Sequence, residues 1–128
     1  MSKVVCQIVK VRSETLEEYK EDEALTYVHP IQIHANVWPS VLRTIEQANI
    51  KDYTIHHSPQ FDLLIARFTY VGSDWEGDMR RISEDPDTRR WWELTDGMQQ
   101  SLVDGATGSA GEKGWWTELE EVFRFEGR

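Results

Sequence analysis

Between Val4 and Arg12 the apolar residues occupy both parities of an extended chain. Val5, Val9 and Val11 share one face, and Val4, Cys6 and Ile8 share the other. Two apolar faces predict a central strand rather than an edge strand. Ser13 to Thr15 breaks the run, and Thr15 with Glu18 forms a capping box that opens a helix. Val41, Leu42, Ile45 and Ala48 then recur at helical spacing from Pro39 to Ala48, which predicts an amphipathic helix. Pro39 either starts this helix or kinks a longer one, because it lacks an N–H and restricts Trp38 before it.

Asp52–His57 and Phe61–Val71 read as two strands of a hairpin joined by Ser58-Pro59-Gln60, with Tyr53, Ile55 and His57 on one face. Ser73 and Glu76 form a second capping box, and Trp75, Met79 and Ile82 line one helical stripe. Asp85-Pro86 stops that helix and starts another, with Asp85 as N-cap and Pro86 in the first helical position. This next helix carries Trp91, Trp92, Thr95, Met98 and Leu102. The Gly-, Ala- and Ser-rich stretch 104–114 reads as a loop, and Glu120–Phe125 as the last strand.

Strand, helix, strand, strand, helix pair, strand is the order of a ferredoxin-like split βαβ unit. The expected fold is α+β, a single domain over residues 1–128, with helices on one face of an antiparallel four-stranded sheet. The other face then leaves apolar residues such as Leu63 and Ile65 uncovered, and a homodimer packed sheet on sheet would bury them.

Composition narrows the function classes. The chain has 128 residues, enough for one real core, and 39% of them are hydrophobic, as in a globular protein. A formal charge of −9 argues against nucleic acid, whose phosphates require Lys and Arg. Cys6 is alone, so no internal disulfide and no CxxC metal motif arises, and its apolar strand setting suggests an inert thiol. With no membrane-length apolar run and no signal-peptide pattern around Ser2-Lys3-Val4, the expected compartment is the cytoplasm.

Most chemical motifs are missing. The glycines at 105, 108, 111 and 114 follow a helix instead of linking strand to helix, so they form no phosphate loop. There is no HExxH, and His56 and His57 point to opposite faces of a strand, which disfavours a metal site. A GxSxG elbow is absent, and the pairs Glu17-Glu18 and Glu120-Glu121 fit solvated faces better than glycosidase machinery. What remains is histidine, tyrosine and tryptophan, without metal or cofactor. One candidate stands out: His34, a near-neutral proton carrier one helical turn before Trp38. Such groups suit proton transfer on an uncharged, many-hydroxyl ligand. Opening of a sugar hemiacetal, with an acid at the ring oxygen and a base at the anomeric hydroxyl, is one such reaction.

Val5-Cys6-Gln7, Leu16-Glu17-Glu18-Tyr19, His34-Ala35-Asn36-Val37-Trp38-Pro39, Asp52-Tyr53, Arg90-Trp91-Trp92 and Glu120-Glu121-Val122-Phe123 together resemble the L-rhamnose mutarotase family, almost end to end and in the family's order. The resemblance implies a dimeric α/β barrel that interconverts the α and β anomers of L-rhamnose without a cofactor. It further implies that His34 is the proton donor and that Tyr19, Tyr53, Trp91 and Trp92 bind the sugar.

One spacing departs from the family. There the first-helix tyrosine lies four residues before the histidine, whereas Tyr19 precedes His34 by fifteen. The intervening residues contain Pro30 and several β-formers and do not read as continuous helix, so 23–33 is expected to be an insertion. Either it loops out and leaves Tyr19 in place, or Tyr27 substitutes, or the site is damaged. Taken singly, Tyr53 is ordinary strand packing, Trp38 continues the apolar face of Val41 and Ile45, and Trp91 and Trp92 cannot share one direction. Trp115-Trp116 either closes over a pocket or anchors the last strand. Two rival readings follow: another small dimeric-barrel enzyme such as a monooxygenase, and a non-catalytic ligand-binding dimer.

Overall fold

The computed structural model describes residues 2–12 and 37–127. The helix expected after Thr15, the candidates Tyr19, Tyr27 and His34, and the segment 23–33 lie outside the described residues.

The described chain runs β1 (Lys3–Val11), α1 (Pro39–Gln47), β2 (Ile50–Ser58), β3 (Leu63–Tyr70), α2 (Trp75–Glu84), α3 (Pro86–Asp96), β4 (Gln99–Gln100) and β5 (Thr117–Glu118). The strands stand in the order β2-β3-β1-β4, every pair antiparallel. This is the expected ferredoxin-like sheet, with β1 central as its two apolar faces required. Its outer edge differs from expectation. Lys10 and Val11 pair with β4, while Gln7 and Ile8 pair with β5, so two short strands share one edge of β1. Residues 120–127 form no strand, and Val122, Phe123 and Phe125 are 76–86% exposed. An alternating apolar run specifies a face, but not a partner to pair with; the backbone bond from Leu119 N–H to the Cys6 carbonyl (2.7 Å) is the last link to the sheet.

Register assigns the faces. Val5, Gln7 and Val9 oppose Phe68, Ala66 and Leu64, and this inward face is buried at Val5, Val9, Leu64, Ala66, Phe68 and Tyr70. Trp75, Met79 and Ile82 of α2 pack against Val5, Ile50, Phe68 and Tyr70, as their helical stripe predicts. Leu63 and Ile65 lie on the opposite face and are half-buried, not bare. On α1, Val41 and the following Ala48 are buried but Leu42 is 52% exposed, so the apolar stripe is narrower than its spacing suggested.

The helix ends follow capping rules. Pro39 sits in the first turn of α1, so it starts that helix. Asp74, not Ser73, caps α2, its carboxylate accepting from Gly77 N–H at 3.1 Å. Asp85 ends α2 and caps α3, accepting from Thr88 N–H at 2.9 Å. Leu102 falls beyond α3 and is 44% exposed.

One buried polar knot ties these elements together. The Asp78 carboxylate accepts from the Tyr70 hydroxyl (2.6 Å), the Asn49 amide (3.0 Å) and the Arg81 guanidinium. Gly72 belongs to it sterically, since a Cβ there would lie 2.5 Å from the Tyr70 hydroxyl.

Candidate active site

A β-bulge builds the wall of the site. Lys51 opposes Thr69 and Thr54 opposes Arg67, so Asp52 and Tyr53 together face Phe68 alone. Asp52 takes the left-handed conformation (φ 51°) that such an extra residue needs. The consequence is a change of parity. Ile50 points inward beside Tyr70, and without the bulge Thr54 and His56 would follow it. With the bulge, Ile55 and His57 oppose the inward residues Ala66 and Leu64, and the Tyr53 ring stacks on Phe68 at 5.2 Å. His56 opposes Ile65 on the other face, so the two histidines diverge as strand geometry predicts.

Tyr53, Ile55 and His57 form one side of a cavity of about 490 Å³. Val41 and Ile45 of α1 and Trp91, Trp92 and Thr95 of α3 form another, and Gln99, Ser109 and Trp116 complete it. A neighbouring cavity of about 580 Å³ shares Tyr53, Trp91, Trp92 and Trp116, and extends along Phe68, Trp75 and Trp115. Among the described residues the first cavity has no Asp, Glu, Lys or Arg in its wall. Aromatic and apolar walls with a few neutral polar groups suit a small uncharged ligand. No group of three or more metal-ligating side chains occurs among the described residues.

The sequence-predicted site residues divide as follows. Tyr53, Trp91 and Trp92 reach the same cavity, although adjacent helical positions diverge. Trp91 is 6% exposed and packs edge-on against Trp38 at 5.2 Å, within a cluster of Val41 and Met98. Trp92 is half-buried at the rim. Trp38 therefore belongs to the core. His34 and Tyr19 are outside the described residues, but Val37, three positions after His34, lines the cavity.

Tyr53 differs from an ordinary surface phenol. Burial pushes its hydroxyl up to about 12, although the residue as a whole keeps 37% of its surface exposed. It stays protonated near neutral pH, which makes it a hydrogen-bond donor and not a base.

Sequence reasoning passes over Gln99 and Ser109 and gives His57 no part in the site. The only sequence signal for His57 was its shared parity with Tyr53. The loop residue Ser109 is drawn in by Asp96, whose carboxylate accepts from its N–H (2.8 Å) and its hydroxyl (2.5 Å). Trp115 and Trp116 combine both expected roles. Trp116 closes the cavity, while Trp115 anchors the chain through its indole bond to Gln99 and its carbonyl bond from Ser101.

Fold and cavity together define a ferredoxin-like α+β protein with an aromatic-walled cavity between sheet and helices. The family can be stated more closely. The L-rhamnose mutarotase family model matches residues 4–125, nearly the whole chain, and the chain belongs to that family. An L-rhamnose mutarotase of Mesorhizobium japonicum is 31% identical over 62 residues, 46% of this chain, and the match spans about half (53%) of that relative. The crystal structure of an L-rhamnose mutarotase from Formosa agariphila superposes with a TM-score of 0.62 at 19% identity. That superposition covers 97% of this chain and 99% of the other, and it shows a common fold.

Proposed function

We propose that this chain is a cytoplasmic, cofactor-free mutarotase that interconverts the α and β anomers of L-rhamnose or a similar deoxy sugar, working as a homodimer. The observation that carries this reading is the convergence of Tyr53, Trp91 and Trp92 on one cavity whose described wall holds no Asp, Glu, Lys or Arg. Family membership and the names of both relatives point the same way. No described helix is long and apolar enough to cross a membrane.

Anomer exchange requires little beyond proton placement. A proton reaches the ring oxygen as its bond to the anomeric carbon breaks, and another leaves the anomeric hydroxyl to give an aldehyde. Rotation and reclosure on the opposite carbonyl face yield the other anomer. His34 takes the acid role in this reading, because a histidine ordinarily titrates near neutrality and can both give and recover a proton. Tyr53, held protonated, donates to a sugar oxygen, and Trp92 offers a ring face to the C–H surface of the pyranose. Tyr19 is the remaining sugar ligand.

Freshly dissolved α-L-rhamnose, followed by polarimetry or NMR, tests the reading. The protein should speed equilibration, and His34→Ala should fold normally and slow it by on the order of a hundredfold, the usual worth of one acid–base group. Sugar binding without faster exchange would favour the non-catalytic binding protein instead.

A further inference from the structure

Gln99 is among the most buried polar residues described, at 3% exposure, and it lines the cavity. Its position follows from register. Gln99 opposes Val11, in the same parity as Val5 and Val9, so it faces inward, whereas Gln100 opposes Lys10 and faces out. The backbone at this point is held by Arg12, whose Nε donates to the Gln99 carbonyl at 2.7 Å.

The side-chain amide is held in one orientation as well. Trp115 Nε1 lies 3.0 Å from Gln99 Oε1. An indole N–H can only donate, so the atom facing it must be the carbonyl oxygen, and the NH₂ group is turned the other way. That group has two donor hydrogens and no acceptor among the described residues. Thr117 Oγ1 is the only side-chain polar atom among the described residues that is both fully buried and unpartnered, so this NH₂ group is not sealed in the core but opens onto the cavity that Gln99 lines. The Ser109 and Thr95 hydroxyls in the same wall are already engaged, the first donating to Asp96 and the second to the Trp92 carbonyl. The amide is thus an oriented donor at the surface of a cavity whose described wall holds no Asp, Glu, Lys or Arg.

We infer that Gln99 is a specificity-determining sugar ligand, its Nε2 amide donating to a hydroxyl oxygen of the bound sugar, with Trp115 as the residue that positions it. This rests on the mutarotase reading for the identity of the ligand, but not for the existence of the donor. A donor prepared in this way favours a ligand that places an oxygen opposite it and discriminates against one that does not.

The test compares Gln99→Met, Gln99→Glu, Trp115→Phe and the double variant Gln99→Met/Trp115→Phe. L-Rhamnose binding is read by saturation-transfer NMR titration and turnover by anomer exchange, with melting temperature as the check on folding. Gln99→Met should raise Kd and KM about five- to tenfold and leave kcat nearly unchanged, as loss of one uniform binding contact does. Gln99→Glu keeps an acceptor for Trp115 and loses the amide donor, and should weaken binding more as rising pH ionises the new carboxyl, a pH dependence that the natural amide lacks. Trp115→Phe should weaken binding less, and its effect should vanish in the Gln99→Met background, which a merely structural role would not produce. Folded Gln99 variants that bind and turn over L-rhamnose like the natural chain would overturn the inference and leave the mutarotase reading standing. Weakened binding in a protein that binds the sugar but does not speed its exchange would uphold Gln99 as a ligand and overturn that reading. A natural chain that does not bind L-rhamnose at millimolar concentration would overturn both.

Discussion

At the scale of single residues, Tyr53 and Asp78 have titrations moved far by their surroundings, and in opposite directions. Burial raises Tyr53 to about 12, whereas an unfolded tyrosine ionises near 10. Stability from this residue is therefore complete below pH 10 and is lost as pH rises toward 12. Spectrophotometric titration should show Tyr53 ionising about two units late, beside Tyr70, which burial and its hydrogen bond to Asp78 also raise, and Tyr53→Phe should remove its own share of that late phase. The same variant should raise KM for L-rhamnose by about tenfold if its hydroxyl donates to the sugar. Asp78 is shifted the other way, down to about 2, first by its hydrogen bond from Tyr70 and then by those from Asn49 and Arg81. Its unfolded value is about 3.9, so its contribution is complete above pH 4 and disappears as pH falls toward 2. In thermal melts, Asp78→Asn should be clearly less stable at pH 6, and the gap from the natural chain should narrow by pH 2. A gap independent of pH would mean that the carboxylate charge is not what holds the knot.

Among the elements, α3 shows how one helix can serve both core and site. Trp91 lies against Trp38, Val41 and Met98, while Trp92 stands half-buried at the cavity rim. Trp91→Ala should cost about 3–5 kcal/mol, as expected for emptying a buried aromatic site. Trp92→Ala should lower the melting temperature much less and chiefly weaken sugar affinity. Equal losses of stability and affinity in both variants would contradict this division. The divergence of the two rings was legible in the sequence, because adjacent helical positions differ by about 100°. So were β1 as the central strand, the Asp85-Pro86 junction and the shared face of Tyr53, Ile55 and His57. The bulge was not, since Asp52 carries no glycine to announce a left-handed residue. The α2 cap was placed one residue early because Ser73 and Asp74 are equally able to cap, and only packing decides between them. Gln99 escaped notice for a similar reason. A glutamine beside a second glutamine reads as polar surface until the two-residue strand β4 assigns one of them inward.

For the whole molecule, the unresolved balance is apolar surface that the described chain does not cover. Val122, Phe123 and Phe125 are 86%, 76% and 84% exposed, in an extended tail that leaves the sheet after β5. Three large apolar side chains close together in sequence are costly to hold in water, and a partner surface would relieve that cost. The proposed homodimer supplies one, because a second copy meets the same tail by symmetry. The half-buried Leu63 and Ile65 on the outer sheet face lie where such a contact would add to the area buried. Light scattering at micromolar concentration should therefore give twice the chain mass of 15.0 kDa. Phe123→Glu combined with Phe125→Glu should shift the protein toward monomer. Because both residues are exposed within one chain, a monomeric variant should keep its secondary structure, and any loss of activity would show that the site depends on the assembly. A natural chain that stays monomeric at that concentration would remove the dimer from the proposed function while leaving the cavity and its residues as described.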